Sequence, residues 1–189
     1  MLGGTFDPVH IGHLVAAVNV RHALALDRVL LVVANRPWQK SGRPMTPAAD
    51  RLAVVEAAVA GTDGVEASAV EIERGGETYT ADTLEQLAAE DPDRELFLVV
   101  GADVAAELDT WRRTDVVARL ATLAVVTRGG SPTVHVGPPW RVEHVRIPAL
   151  EISSSDLRAR AADGRPLEHL IPMPAITRIR ERGLYSGRR

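Results

Sequence analysis

Short apolar runs alternate with helical stretches along most of this chain, and that rhythm limits the fold more than any other feature. The strand-like runs are Met1–Leu2, Val29–Val33, Val65–Val70, Leu96–Val100, Leu123–Thr127 and Val142–Ile147. Between them lie Leu14–Leu24, Pro47–Ala60, Ala81–Ala89 and Asp115–Leu120, which have the length of helices. Strands alternating with such helices predict βαβ units: an α/β, Rossmann-like, doubly wound parallel sheet with helices on both faces. The 189 residues suit one domain spanning 1–189, with a small C-terminal helical part. Arg128–Trp140 is rich in Gly and Pro but reads as a loop, because apolar patterns resume after it. The last helix is expected near Pro174–Arg182, with Ile176 and Ile179 as its apolar stripe and Arg178, Arg180 and Arg182 in solvent.

Ligands of such sheets bind beyond the carboxyl ends of the strands, where the strand order reverses. Two segments with chemistry fall at such ends. The first is Gly3-Gly4-Thr5-Phe6-Asp7-Pro8-Val9-His10-Ile11-Gly12-His13, and the second is Gly101-Ala102-Asp103. In the first, a glycine turn leads from strand to helix, so backbone N–H groups can approach a phosphate closely. The helix start adds about half a positive charge. His10 and His13 flank Gly12 there, and each can donate hydrogen bonds to phosphate oxygens. The run has neither the Gly-x-x-x-x-Gly-Lys-Ser/Thr of a Walker loop nor the Gly-x-Gly-x-x-Gly of a dinucleotide fold. A buried central strand usually has five or six residues. The native chain is therefore expected to begin several residues upstream of Met1, with a Val/Ile-rich segment ahead of Leu2.

Composition narrows the chemistry. There are no cysteines, which removes disulfides, thiolate catalysis and cysteine-bound zinc, and fits the cytoplasm. No apolar run reaches the roughly 18 residues of a membrane span, and no signal peptide is evident. A net charge of −3 argues against a general nucleic-acid binder. His10 and His13 could share a metal, but no third ligand follows at a recognisable spacing, so no protein-built metal centre is predicted. Lys40 is the only lysine beside many arginines, and it falls in the loop Arg36-Pro37-Trp38-Gln39-Lys40 after the second strand.

A second anion site is expected at Ile152-Ser153-Ser154-Ser155-Asp156-Leu157-Arg158. Serine hydroxyls and the unpaired N–H groups of a helix start can hold an anion, and an arginine can grip phosphate with two donors. On its own the run reads as an ordinary serine cap; paired with the histidine turn far upstream it reads as an anion site.

Together, His-x-Gly-His and Ile-Ser-Ser-Ser-x-x-Arg resemble the nucleotidyltransferase superfamily, whose members transfer a nucleotidyl group to a phosphate acceptor and release pyrophosphate. Three further segments are similar to bacterial nicotinate-mononucleotide adenylyltransferases. They are Trp38-Gln39-Lys40, Tyr79-Thr80-Ala81-Asp82-Thr83-Leu84, and Gly101-Ala102-Asp103 followed by Trp111. The closing Ile176–Tyr185 also looks like that family, so the resemblance runs from Leu2 to Tyr185. It implies transfer of AMP from ATP to nicotinate mononucleotide, with Mg²⁺ accompanying the ATP.

By that resemblance His10, His13, Lys40 and Arg158 are catalytic. ATP would meet these four together with Gly3, Gly4, Thr5, Phe6, Gly101, Asp103, Ile152, Ser154 and Ser155. Thr5, Tyr79, Thr80, Trp111 and Arg112 would hold the acceptor, with Trp111 offering a stacking face and backbone N–H groups meeting the carboxylate. Three readings stay open beside it: nicotinamide mononucleotide as acceptor, a phosphopantetheine adenylyltransferase, and a nucleotide-binding regulator without catalysis. An assembly of identical subunits also stays open.

Overall fold

The computed structural model describes residues 1–37, 45–129 and 134–187. In chain order the first half comprises β1 (Leu2–Gly4), α1 (Ile11–Ala23), β2 (Val29–Val33), β3 (Arg36–Pro37), α2 (Ala48–Val59), β4 (Val65–Ser68), α3 (Val70–Arg74) and β5 (Glu77–Thr78). The second half comprises α4 (Thr80–Glu90), β6 (Leu96–Gly101), α5 (Ala102–Ala105), α6 (Thr114–Leu120), β7 (Ala121–Arg128), β8 (Val142–Ile147), α7 (Ser154–Asp163) and α8 (Met173–Glu181). A single 3-10 turn, Leu108–Thr110, separates α5 from α6.

Among the described residues the strands pair in parallel. β1 lies on β2 with Leu2 opposite Leu31, and β2 lies on β4 with Val29 opposite Val65. β7 lies between β6 and β8. Met1 joins the two halves: its carbonyl accepts from Val99 N at 2.8 Å, and its amino group donates to the Phe97 carbonyl. One residue bonded to both neighbours of Leu98 is the pattern of a parallel bridge. The order is thus β4-β2-β1-β6-β7-β8, and it reverses between β1 and β6, the expected doubly wound arrangement.

Alternation along the strands explains the two covered faces. Val29, Leu31 and Val33 point towards Leu14 and Ala17 of α1, Val54, Val55 and Ala58 of α2, and Ile176 and Ile179 of α8. Leu98 and Val100, with Leu123 and Val125, face the other way, onto Ala81 and Leu84 of α4 and Val117 of α6. A third group packs Ala16 and Val20 of α1 on Val99, Ala124 and Val145.

Several boundaries shift by one to three residues, as where α1 begins at Ile11 and β7 at Ala121, and one shift changes the element a residue belongs to. The strand expected to reach Val70 stops at Ser68, whose Oγ accepts from Val70 N at 3.4 Å, and Val70 opens α3 instead. Val70 is still buried, against the second face, so its apolar character carried no information about which element it belonged to. β3 and β5, both too short to read from sequence, pair Arg36 with Glu77 and Pro37 with Thr78.

Candidate active site

The chemistry sits where β1 meets β6. β1 ends at Gly4, and the chain turns through Thr5–Val9 into α1, whose N-cap is His10. Two glycines make this turn possible. A Cβ on Gly4 would come within 3.0–3.2 Å of three atoms of the Phe6 ring, and one on Gly12 would stand 3.1 Å from His10 Cε1 and Nδ1. Both rings therefore lie against backbone that only glycine leaves open. Phe6 itself holds φ 47°, a region that bulky residues rarely adopt.

His10 and His13 stack with ring centroids 3.7 Å apart, and the Phe6 ring stands edge-on to His13 at 5.0 Å. His13 Nδ1 accepts from the His10 backbone N at 3.2 Å. An accepting Nδ1 puts the proton of a neutral imidazole on Nε2, so His13 carries its donor at the far side of the ring. His10 is buried. Desolvation pushes its imidazole down from the usual 6.5 to about 4, and the Arg128 charge acts in the same direction. His10 is thus neutral near pH 7.

Beyond these rings opens a cleft of about 450 Å³, lined by His10, Gly12, His13, Gly101, Asp103, Arg128, Ile147 and Ile152 among others. These come from the carboxyl ends of β6, β7 and β8, the start of α1 and the segment entering α7. The Asp103 carboxylate lies over Gly101, where a Cβ would stand 2.4 Å from Oδ1. Arg128, absent from the sequence expectations, brings a cation to the cleft. Its signal was the one that marked Asp103: a polar residue at the carboxyl end of an apolar strand.

A larger cavity of about 1100 Å³ lies at the opposite, amino ends of the strands, lined by Leu26, Leu30, Leu96 and Phe97 among others. Its walls hold Asp27, Glu56, Glu66, Glu73, Glu90, Asp91, Asp93 and Glu95 against Arg28 and Arg94. That field repels polyphosphate, whereas the smaller cleft offers two histidines and an arginine.

The C-terminal serine motif docks on the turn from behind. Ser153 caps α7, accepting from Asp156 N at 3.2 Å. Ser154 Oγ donates to the Pro8 carbonyl at 2.9 Å, Arg158 Nη1 donates to the Asp7 carbonyl at 2.6 Å, and Arg158 Nη2 donates to Ser155 Oγ at 3.2 Å. The two motifs, about 145 residues apart in sequence, are in direct contact. Gly3, Thr5 and Phe6 build the turn and, with Ser154, Ser155 and Arg158, lie outside the lining of the cleft. Lys40 lies outside the described residues.

Of the expected acceptor residues, Tyr79 and Arg112 are in contact, whereas Thr5 lies apart in the turn after β1. Arg112 Nη1 donates to Tyr79 Oη at 3.0 Å, with the guanidinium carbon 5.0 Å from the ring centroid, and Tyr79 Oη donates to Glu77 Oε2 at 2.5 Å. Trp111 is half-buried against the second core cluster, and Thr80 opens α4. Arg113 anchors this segment to α4 through Asp82 and Glu85, both at 2.6 Å.

The cytidylyltransferase-like family matches residues 1–160. A probable nicotinate-nucleotide adenylyltransferase of Streptomyces coelicolor is 44% identical over 98% of this chain and 100% of its own length. One from Corynebacterium kroppenstedtii is 44% identical over 98% of this chain and 89% of its own. The chain belongs to the nicotinate-nucleotide adenylyltransferase family. The fold agrees. The nicotinic acid mononucleotide adenylyltransferase of Plasmodium falciparum, solved with NaAD, superposes with a TM-score of 0.78 at 17% identity, over 97% of this chain and 95% of that one. Among the described residues no helix is long and apolar enough to cross a membrane.

Proposed function

We propose that this protein transfers the adenylyl group of ATP to nicotinate mononucleotide, giving nicotinate adenine dinucleotide and pyrophosphate. The observation that carries the reading is the stacked His10–His13 pair at the start of α1, facing Asp103 and Arg128 across one cleft at the sheet's reversal point. A phosphate oxygen of the acceptor attacks the α-phosphorus in line. The bond from that phosphorus to the bridging oxygen breaks, and its electron pair leaves with pyrophosphate. With no cysteine in the chain, catalysis rests on positioning and on donors aimed at developing charge.

His13 Nε2–H and the Arg128 guanidinium supply those donors; Lys40 and the backbone N–H groups at the start of α7 are assigned to the triphosphate tail, with Ser154 and Arg158 holding that helix start against the turn. The neutrality of His10 makes it a hydrogen-bonding group rather than a cation. Among the described residues no cluster of three or more potential ligands is present, and Asp103 is the acid lining the cleft. This donor set fits a Mg²⁺ that arrives on the nucleotide and meets Asp103, rather than one resident in a protein cage. When bound, the ion neutralises charge on the phosphates. Trp111, Tyr79, Thr80 and Arg112 are assigned to the pyridine ring and its carboxylate. The lack of cysteine and the use of ATP support assigning the protein to the cytoplasm.

Pyrophosphate release measured with nicotinate mononucleotide, nicotinamide mononucleotide and phosphopantetheine tests the reading. Preference for the acid over the amide by about tenfold or more, roughly 1.4 kcal/mol, is expected. Equal rates with acid and amide, or turnover of phosphopantetheine alone, would refute it.

A further inference from the structure

We infer that Arg51 and Tyr185 are positioning residues that hold the glycine–histidine turn in the shape needed for adenylyl transfer. The inference rests on the function proposed above.

Arg51 of α2 is fully buried, and its guanidinium donates to backbone carbonyl oxygens. Nε donates to Thr46 at 2.9 Å, Nη1 to Thr5 at 2.6 Å, and Nη2 to Ala34 at 2.7 Å and Asn35 at 3.2 Å. One side chain thereby ties the end of β1, the end of β2 and the segment entering α2. Tyr185, from the turn after α8, donates its hydroxyl to Asp7 Oδ1 at 2.7 Å, while Thr46 N donates to Asp7 Oδ2 at 3.4 Å. Burial and the Asp7 carboxylate both push the Tyr185 phenol up, so it stays a donor across the working range.

The anchors are concentrated on one short segment. Arg51 holds Thr5, Tyr185 and Arg158 hold Asp7, Ser154 holds Pro8, and the Leu170 carbonyl accepts from Ile11 N at 2.9 Å. Neither Arg51 nor Tyr185 lines the cleft, so neither is placed to touch a phosphate. Their effect is directional. In a trans peptide the carbonyl and the following N–H point opposite ways. A Thr5 carbonyl fixed on Arg51 therefore aims Phe6 N–H away from it, and a Pro8 carbonyl fixed on Ser154 does the same for Val9 N–H. Phe6 in turn sets the ring against which His13 rests. Loosening the clamp frees both the amides and the imidazole that the reaction requires in place.

The test compares Tyr185→Phe and Arg51→Lys with Val65→Ala, a cavity variant at the amino end of β4, far from the turn. Thermal unfolding, kcat, and KM for each substrate are measured where circular dichroism shows every variant folded. Tyr185→Phe is expected to lower kcat about tenfold and Arg51→Lys about a hundredfold, the scale of sub-ångström to ångström misplacement, with acceptor KM within about twofold of the parent. Val65→Ala is expected to lose melting temperature but keep kcat. Wild-type kcat in folded Tyr185→Phe would overturn the inference, and that variant decides if Arg51→Lys does not fold. Should the parent protein not turn over nicotinate mononucleotide, the proposed function fails on its own. ATP binding by calorimetry then judges the clamp: about tenfold weaker binding in Tyr185→Phe supports it, and unchanged binding overturns it.

Discussion

Acid should destabilise this protein through His10 in a way that one substitution isolates. Burial lowers the folded-state value from 6.5 to about 4, so between these pH values the unfolded chain binds a proton that the folded chain refuses. Stability from this group is therefore full above pH 6.5 and is lost as pH falls towards 4. Linkage over pH 7 to 5 gives about 2 kcal/mol, approaching about 3 kcal/mol below pH 4. For a domain of this size the first figure is a fall of roughly 4–8 °C in melting temperature. Glu71, whose carboxyl burial raises, acts with the opposite sign. It is shared by His10→Gln, so it cancels in a comparison. Urea unfolding of the parent and of His10→Gln at pH 7 and pH 5 measures the difference. The parent should lose about 2 kcal/mol more than the variant over that interval. Equal losses would show that His10 is not held in a desolvated, neutral state, and the stacked, buried geometry would then be wrong.

Three further outcomes are expected. His13→Ala should lower kcat by about 10²–10³, the usual loss for one preorganised donor, while the melting temperature changes little. An active variant would remove His13 from the mechanism. Gly4→Ala should destabilise by about 1–3 kcal/mol in denaturant titrations, because the buried Phe6 ring against the new methyl has nowhere to swing. Trp111→Ala should raise acceptor KM by roughly threefold to tenfold with ATP KM unchanged, the value of one stacked ring. A loss of stability alone would make Trp111 a core residue.

How much of this was legible depended on whether the signal was local. The strands of the sheet and the major helices followed from apolar periodicity, because a strand buried on both faces and a one-sided helix write different repeats. The phosphate turn was legible because glycine, histidine and helix start are contiguous. β3 and β5 were not, since a two-residue ladder leaves no period. Nor could any local pattern show that Ser154 and Arg158 bond to the Pro8 and Asp7 carbonyls. That contact exists because the chain folds α7 back across the end of β1, and the serine motif alone read as a cap.

Arg51 is the instructive omission: its signal is present in the sequence but was not taken up. In α2 the buried residues are Arg51, Val54, Val55, Ala58 and Val59, spaced i, i+3, i+4, i+7 and i+8. That is one helical face, and position 51 lies on it as squarely as the valines do. Arginine is normally assigned to solvent, and the rule fails when a guanidinium finds enough acceptors. Here the acceptors are carbonyls at strand ends, beyond the ladders that would otherwise pair them. A cation on the apolar face of a helix therefore predicts irregular backbone beside it. In a doubly wound sheet, irregular backbone at the carboxyl ends of the strands is where the ligand turn lies. The charge that the general rule would send to solvent is what ties α2 to the turn bearing His10 and His13.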